Sequence, residues 1–313
     1  MRKILTAAFM ALAAAVPASA QDWKPSGPIN LLIAFAAGGG ADTQARLIAQ
    51  ELEARTGWEF IPEQVTGKGG VNLLAAMKDM PNDGTVIGMV VAESLGYNLY
   101  TADIGLTPSD FTAITSTAGA QMGIVALSSS GWNDLGDMIE AAKGGQEIRL
   151  GTMSPRLSDV AYLLGKANGI EFNIVQVRGG RAVMNGVNAG DMDAGFMAGI
   201  QAGGVASGEL VNLASAMAEP LKQTPDAPLT SEFGVKYDSN ALFMFAGPGG
   251  MPDDARDALA AAIGEVVSDP ETEVGALIQR AFGGSKTITG DALAAQLDAD
   301  FAASEELLNE VSQ

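Results

Sequence analysis

Residues Ile29–Asp42, INLLIAFAAGGGAD, carry an apolar, strand-like segment straight into three glycines and an acid. A helical spacing follows at once in Ala45, Leu47, Ile48 and Leu52. A strand, a glycine turn and a helix in this order aim backbone N–H groups and the positive end of a helix at one point, which suits an anion. The same grammar recurs downstream. Trp58–Pro62 reads as a strand, Thr66–Gly70 as a second glycine loop, Leu73–Met80 as a helix and Thr85–Val91 as a buried strand. This βαβαβ order predicts a parallel or mixed sheet with helices on both faces.

A less regular section runs to Phe111–Thr115, and a second α/β pattern begins at Gly123–Leu127. It continues through a helix at Trp132–Ala142, a strand at Glu147–Leu150 and a helix at Asp159–Asn168. A strand at Phe172–Val177 and a helix ending at Ala189 complete it. Ala241–Ala246 reads as a strand, and two acidic, alanine-rich helices close the chain near Asp253–Ser268 and Gly290–Val311. Two successive α/β units suggest two lobes, with the chain crossing between them twice.

Residues 1–20 have the layout of an export signal: a basic start at Arg2 and Lys3, an apolar run Ile4–Val16, and Ala18-Ser19-Ala20 as a cleavage box. Cleavage is expected before Gln21, leaving an exported protein. Apolar residues make up 47% of the chain, as in a packed globular protein. Net charge is −19, from 18 Lys and Arg against 37 Asp and Glu. That balance argues against nucleic acid and against anionic membrane surfaces. Any anion site must therefore act locally against the field of the whole chain.

Histidine and cysteine are both absent. Ser-His-Asp and Cys-His nucleophiles and the common zinc sites are thereby removed, and no acidic spacing resembles a calcium loop. No catalytic residue, metal or cofactor is expected. Neither glycine loop completes a nucleotide motif: Gly38-Gly39-Gly40 lacks the dinucleotide spacing, and Thr66-Gly67-Lys68-Gly69-Gly70 lacks the Walker pattern. Two glycine turns at the ends of consecutive strands nevertheless sit where α/β sheets bind ligands. Asp42 fits a helix N-cap better than a ligand contact. Ser94 can donate to a carboxylate. Glu93 reads either as a solvated acid or as a partner for an amino group or a protonated acid. Lys68, Arg156, Arg178 and Arg181 are cations in glycine- or proline-containing loops at strand ends, and an Arg can clamp a carboxylate with two bonds.

The order Trp23-Lys24-Pro25-Ser26-Gly27-Pro28-Ile29, then Phe35-Ala36-Ala37-Gly38-Gly39-Gly40-Ala41-Asp42, resembles the solute-binding proteins of tripartite tricarboxylate transporters, the Bug or TctC family. Gly67-Lys68-Gly69-Gly70 is similar to that family's P-G-A-G-G loop, and Pro81–Thr85 to its P-D-G-Y-T turn. Asp110–Ile114, Arg178–Ala182 through Asp193, and Phe243–Pro252 follow its later motifs in order.

The resemblance implies a type II-like periplasmic binding protein fold, with two Rossmann-like lobes joined by two crossover segments. Residues 21–118 with 241–313 would form one lobe and 119–240 the other. It further implies a monomer that closes over a small organic acid, whether a di- or tricarboxylate, an aromatic acid or an acidic amino acid. That ligand would pass to a membrane permease of one large and one small subunit.

By the resemblance, Phe35–Asp42 and Gly67, Lys68, Gly69, Gly70 and Val71 would pinch one carboxylate through main-chain amides. Glu93 and Ser94 would add side-chain contacts, with Thr152, Ser154, Arg156, Arg178 and Arg181 at the distal end. Ala34 and Ala37 stand where the family has loop prolines, which implies a less rigid first loop. Glu93 replaces a small residue and Arg181 a glycine. Two other readings share the same pocket: a protein presenting its ligand to a membrane sensor, and a lyase or hydrolase using Lys68 and Glu93.

Overall fold

The computed structural model describes residues 23–239 and 241–313. The export-signal reading of residues 1–20, with its cleavage point before Gln21, lies outside them.

The first lobe opens with β1 (Ile29–Ile33), α1 (Gly40–Thr56), β2 (Phe60–Gln64), α2 (Val71–Met77) and β3 (Val86–Val91). Two short helices, α3 (Ala92–Leu95) and α4 (Tyr97–Ala102), lead to β4 (Phe111–Gly119). The chain then enters the second lobe with β5 (Met122–Leu127), α5 (Leu135–Lys143), β6 (Arg149–Thr152), α6 (Pro155–Asn168) and β7 (Asn173–Gln176). α7 (Gly180–Ala189), β8 (Ala194–Ala198), α8 (Ala202–Ser207) and β9 (Leu210–Ser215) complete that lobe. The return strand β10 (Leu242–Pro248) and helices α9 (Asp253–Ser268), α10 (Glu273–Phe282) and α11 (Gly290–Val311) rejoin the first. Among the described residues, no helix is long and apolar enough to cross a membrane.

Each lobe is built on one five-stranded mixed sheet, ordered β2-β1-β3-β10-β4 in the first and β7-β6-β8-β5-β9 in the second. β1, β2 and β3 run parallel, and β10 enters antiparallel between β3 and β4. Both faces of the first sheet are buried, so its inner strands are apolar apart from the exposed Asn30 of β1. Ile29, Leu31, Ile33, Ile87, Met89 and Phe245 meet α1, α9 and α10 on one face. Leu32, Val86, Val90 and Met244 meet α2 and α11 on the other. In the second lobe, Ile124 and Phe196 pack on α5 and α6, whereas Val125 and Met197 pack on α7.

The predicted βαβαβ unit is present, with shifts at its element ends. The sequence reading missed α3, α4, β8, α8, β9 and α10. β8 is short and contains Gly195, where an added Cβ would lie 2.3 Å from Val183 Cγ1 of α7. The second crossing is pinned to the first where Ala120 N–H donates to Ala241 O at 2.8 Å.

Phe245 is 1% exposed on a strand paired on both sides, so its truncation leaves a cavity that a central strand relaxes poorly. Phe245→Ala is expected to cost about 3–5 kcal/mol in urea unfolding.

Candidate functional site

Because β1, β2 and β3 are parallel and adjacent, the segments that follow them all emerge at one edge of the first sheet. The first is the Ala36–Gly39 turn, the second Val65–Gly70, and the third begins α3 with Ala92, Glu93 and Ser94. β6 and β7 are likewise parallel and deliver Ser154 and Arg178 to one edge of the second sheet. Two features bring the edges face to face: Arg181 Nη2 donates to Gly38 O at 3.1 Å, and the Ser154 side chain stands close enough to the Glu93 carboxyl to favour its charged form. Carboxyl-end loops of α/β sheets facing one another make a ligand cleft.

In the first loop, Gly38 takes the left-handed conformation, with φ +73°, and Gly39 caps α1. The N-cap expected at Asp42 is therefore corrected. Asp42 lies at the third helical position, buried, and reaches back to accept from Gly38 N–H at 2.8 Å. Its carboxylate also accepts from Arg46 Nε at 2.8 Å and Gln64 Nε2 at 3.2 Å. Other bonds hold the first loop where the family's prolines are missing. Asp42 braces the turn, and Ala34 N–H, which a proline would lack, donates to Met89 O at 3.1 Å. Phe35 packs its ring into the core, while Ala36 and Ala37 are exposed. The first-turn N–H groups of Gly40, Ala41 and Asp42 have no partner within the helix by geometry alone.

The second loop is more contorted. Gly67, Lys68, Gly69 and Gly70 all have positive φ, at 121°, 48°, 62° and 103°. Only Lys68 bears a side chain in this run, and it is exposed. Glycine at 69 and 70 answers a packing demand as well as a conformational one. A Cβ at Gly69 would lie 2.3 Å from Asn98 Nδ2, and one at Gly70 2.5 Å from Ser94 Oγ. Asn98 Nδ2 donates to Gly69 O at 3.1 Å and holds the loop down, and Asn72 Nδ2 does the same to Thr66 O at 3.0 Å. Val71 is buried at the start of α2. Ser94 is fully buried, and its hydroxyl has no hydrogen-bond partner among the described residues.

A family model described as the tripartite tricarboxylate transporter family receptor, TctC, matches residues 44–280. The chain belongs to this receptor family. The receptor is 28% identical over 266 residues to the UPF0065 protein in the TAR-I ttuE-ttuC' intergenic region of Agrobacterium vitis, covering 81% of this chain and 75% of that one. Its fold matches MatC of Rhodopseudomonas palustris, solved with bound malate, at TM-score 0.74 and 17% identity over 91% of this chain and all of that one. R. palustris Rpa4515, solved with adipate, superposes at TM-score 0.77 and 20% identity, over 92% of this chain and 98% of that one.

The receptor's second lobe divides the remaining sequence candidates. Thr152 is fully buried, its hydroxyl 2.8 Å from Ser158 Oγ beneath the first turn of α6. Ser154 caps α6 by accepting from Leu157 N–H, and Pro155 occupies the first helical position. Arg156 Nη2 donates to Asp238 O. Arg178 is exposed just ahead of α7. The first glycine loop thus meets Arg181, while Glu93, Ser154 and Arg156 gather at a second locus.

That second locus is a cavity between the lobes, and neither glycine loop lines it. Its walls include Glu93, Tyr97, Arg156, Tyr237, Asp238 and Asp300. Tyr97 OH donates to Asp159 Oδ2 across the lobe boundary, and desolvation, the largest effect, raises both groups above their usual ranges. Desolvation also raises Glu93, opposed by Arg156 and by hydrogen bonds to Ser154 and Asn98. Part of Glu93 keeps contact with solvent, yet protein atoms surround its carboxyl closely enough for burial to dominate. Asp300 on α11 is pushed up to about 6, again by burial, with Arg156 opposing and Asp238 reinforcing. Sequence reasoning missed Tyr97, Asn98, Asp159 and Asp300. No local pattern marks them, because α4, α6 and α11 meet only in the folded chain.

Gly69→Ala should lower stability by more than about 1 kcal/mol in chemical unfolding, since it combines positive φ with a clash on Asn98. For Asp300, the folded value of about 6 lies above the usual carboxylate value near 3.9, so folding takes up a proton between the two. Stability therefore gains as pH falls from above 6 toward 4, and the penalty returns as pH rises through 6. Asp300→Asn should raise Tm at pH 8 relative to the native receptor. The difference should shrink by pH 5 in thermal scans.

Proposed function

We propose that this receptor captures a small organic carboxylate in the periplasm and passes it to a membrane permease of one large and one small subunit. The observation that carries the reading is the pair of glycine loops at adjacent parallel strand ends, with the buried, unpartnered Ser94 hydroxyl packed against the second. A buried hydroxyl without a partner forfeits hydrogen-bond energy in the ligand-free protein and is the kind of group a ligand oxygen satisfies. The main-chain N–H groups at the start of α1 supply fixed partial positive charge in a chain whose overall field is negative. Carboxylates on structural neighbours of the same family fold, malate on MatC and adipate on Rpa4515, support the ligand class. Arg181, reaching from the second lobe to Gly38 O, would help hold the closed form over the ligand. The protein would act by binding and closure alone, with no bond made or broken.

Calorimetry against a panel of mono-, di- and amino-carboxylates tests the binding, and Ser94→Ala tests the site. The variant should fold with unchanged or slightly higher Tm, because it removes an unsatisfied buried polar group. It should bind the panel member preferred by the native protein at least about tenfold more weakly, the scale of one hydrogen bond to a charged group. Unchanged affinity would remove Ser94 from the site. Deletion that stops uptake of that acid supports delivery to a permease, whereas loss of gene induction alone would assign the protein to a sensor.

A further inference from the structure

Arg156 of the second lobe lines the interlobe cavity, and the protein surrounds it with its own acids. Its Nη2 donates to Asp238 O. Glu93 on α3, Tyr97 on α4 and Asp300 on α11 line the same cavity as Arg156, and Asp159, bonded to Tyr97, follows Arg156 by one turn of α6. One guanidinium therefore answers three carboxylates contributed by both lobes. A second carboxylate arriving there on a ligand would find the one cation already shared among the protein's own acids, in a poorly solvated cavity that Asp238 also lines, where like-charge repulsion is least screened. Glu93 is also joined to the glycine-loop side of the cleft: Asn98 Nδ2 donates to Gly69 O at 3.1 Å and contacts Glu93 Oε1 at 3.4 Å. Asn98 thus stands between the second glycine loop on one side and acceptor-rich carboxylates on the other.

Resting on the carboxylate-capture reading above, we infer that Glu93 is a specificity-determining residue that selects a ligand bearing a carboxylate at one end and an amino group at the other, and rejects a second carboxylate. An ammonium at the Glu93 end would donate to Glu93 Oε1, the acceptor that Asn98 reaches only at long range. Specificity of this sort works by repulsion as much as by attraction: the site penalises the dianion and rewards the donor.

Isothermal titration with length-matched sets tests the inference: succinate, 4-aminobutanoate and butanoate, then adipate, 6-aminohexanoate and hexanoate, with hexylamine as the probe lacking a carboxylate. Native protein should bind the better-fitting amino acid at least tenfold more tightly than the dicarboxylate of equal length. Glu93→Gln should shrink that ratio at least tenfold, with its Tm confirming the fold. A dicarboxylate that binds native protein as tightly as its amino counterpart overturns the inference while leaving carboxylate capture standing. An unchanged ratio in Glu93→Gln also overturns it. Hexylamine binding as well as 6-aminohexanoate, or no carboxylate in the sets binding at all, overturns the underlying carboxylate reading and the inference with it. The native measurement decides the preference even if the variant proves unstable.

Discussion

The carboxylate of Asp42 is the constraint from which the candidate site follows. Buried at the third position of α1, it accepts from the Gly38 N–H, the Arg46 guanidinium and the Gln64 amide. A buried charge is tolerated only when its hydrogen-bonding capacity is met, and these three donors meet it. In return it fixes the turn between β1 and α1 and ties that turn to β2, so that the first-turn N–H groups of α1 present a preset surface. The Gly38 carbonyl, held by the same turn, receives Arg181 from the other lobe. Loop conformation, strand edge and interlobe contact share a single anchor.

The second loop is governed by crowding more than by charge. Four successive residues with positive φ form a backbone that side chains rarely adopt, and Asn98 and Ser94 leave no room for a Cβ at its last two glycines. Lys68 bears the conformational cost of a side chain in this run, and strain of that kind persists where the surroundings over-determine the backbone. Asn98 carries the constraint onward to Glu93, and Glu93 carries it to Ser154 and Arg156. The two lobes are therefore coupled by a polar chain of named groups. The Tyr97–Asp159 contact and the Lys236–Glu306 and Lys236–Glu310 pairs at 3.0 and 2.8 Å run alongside it. The Lys236 pairs are solvent-exposed and add little to stability, whereas the desolvated groups near Arg156 respond strongly to protonation.

What the sequence determined by itself is the local grammar. The apolar run of β1 and the glycines that follow it are legible because propensity acts over a few residues, whereas α6, expected from Asp159, starts at Pro155 behind the Ser154 cap. Order of elements then sufficed for an α/β chain in two lobes. Elements shorter than about two helical turns, such as α3, α4 and α8, escaped the reading because so short a helix has little stability apart from its packing. Tertiary structure alone decided three further matters. It turned Asp42 from a cap into a brace. It buried Ser94 without a partner. It also gathered Glu93, Asp159 and Asp300, from α3, α6 and α11, around one arginine. Those outcomes depend on desolvation and on contacts between groups far apart in the chain, and neither is encoded in the spacing of neighbouring residues.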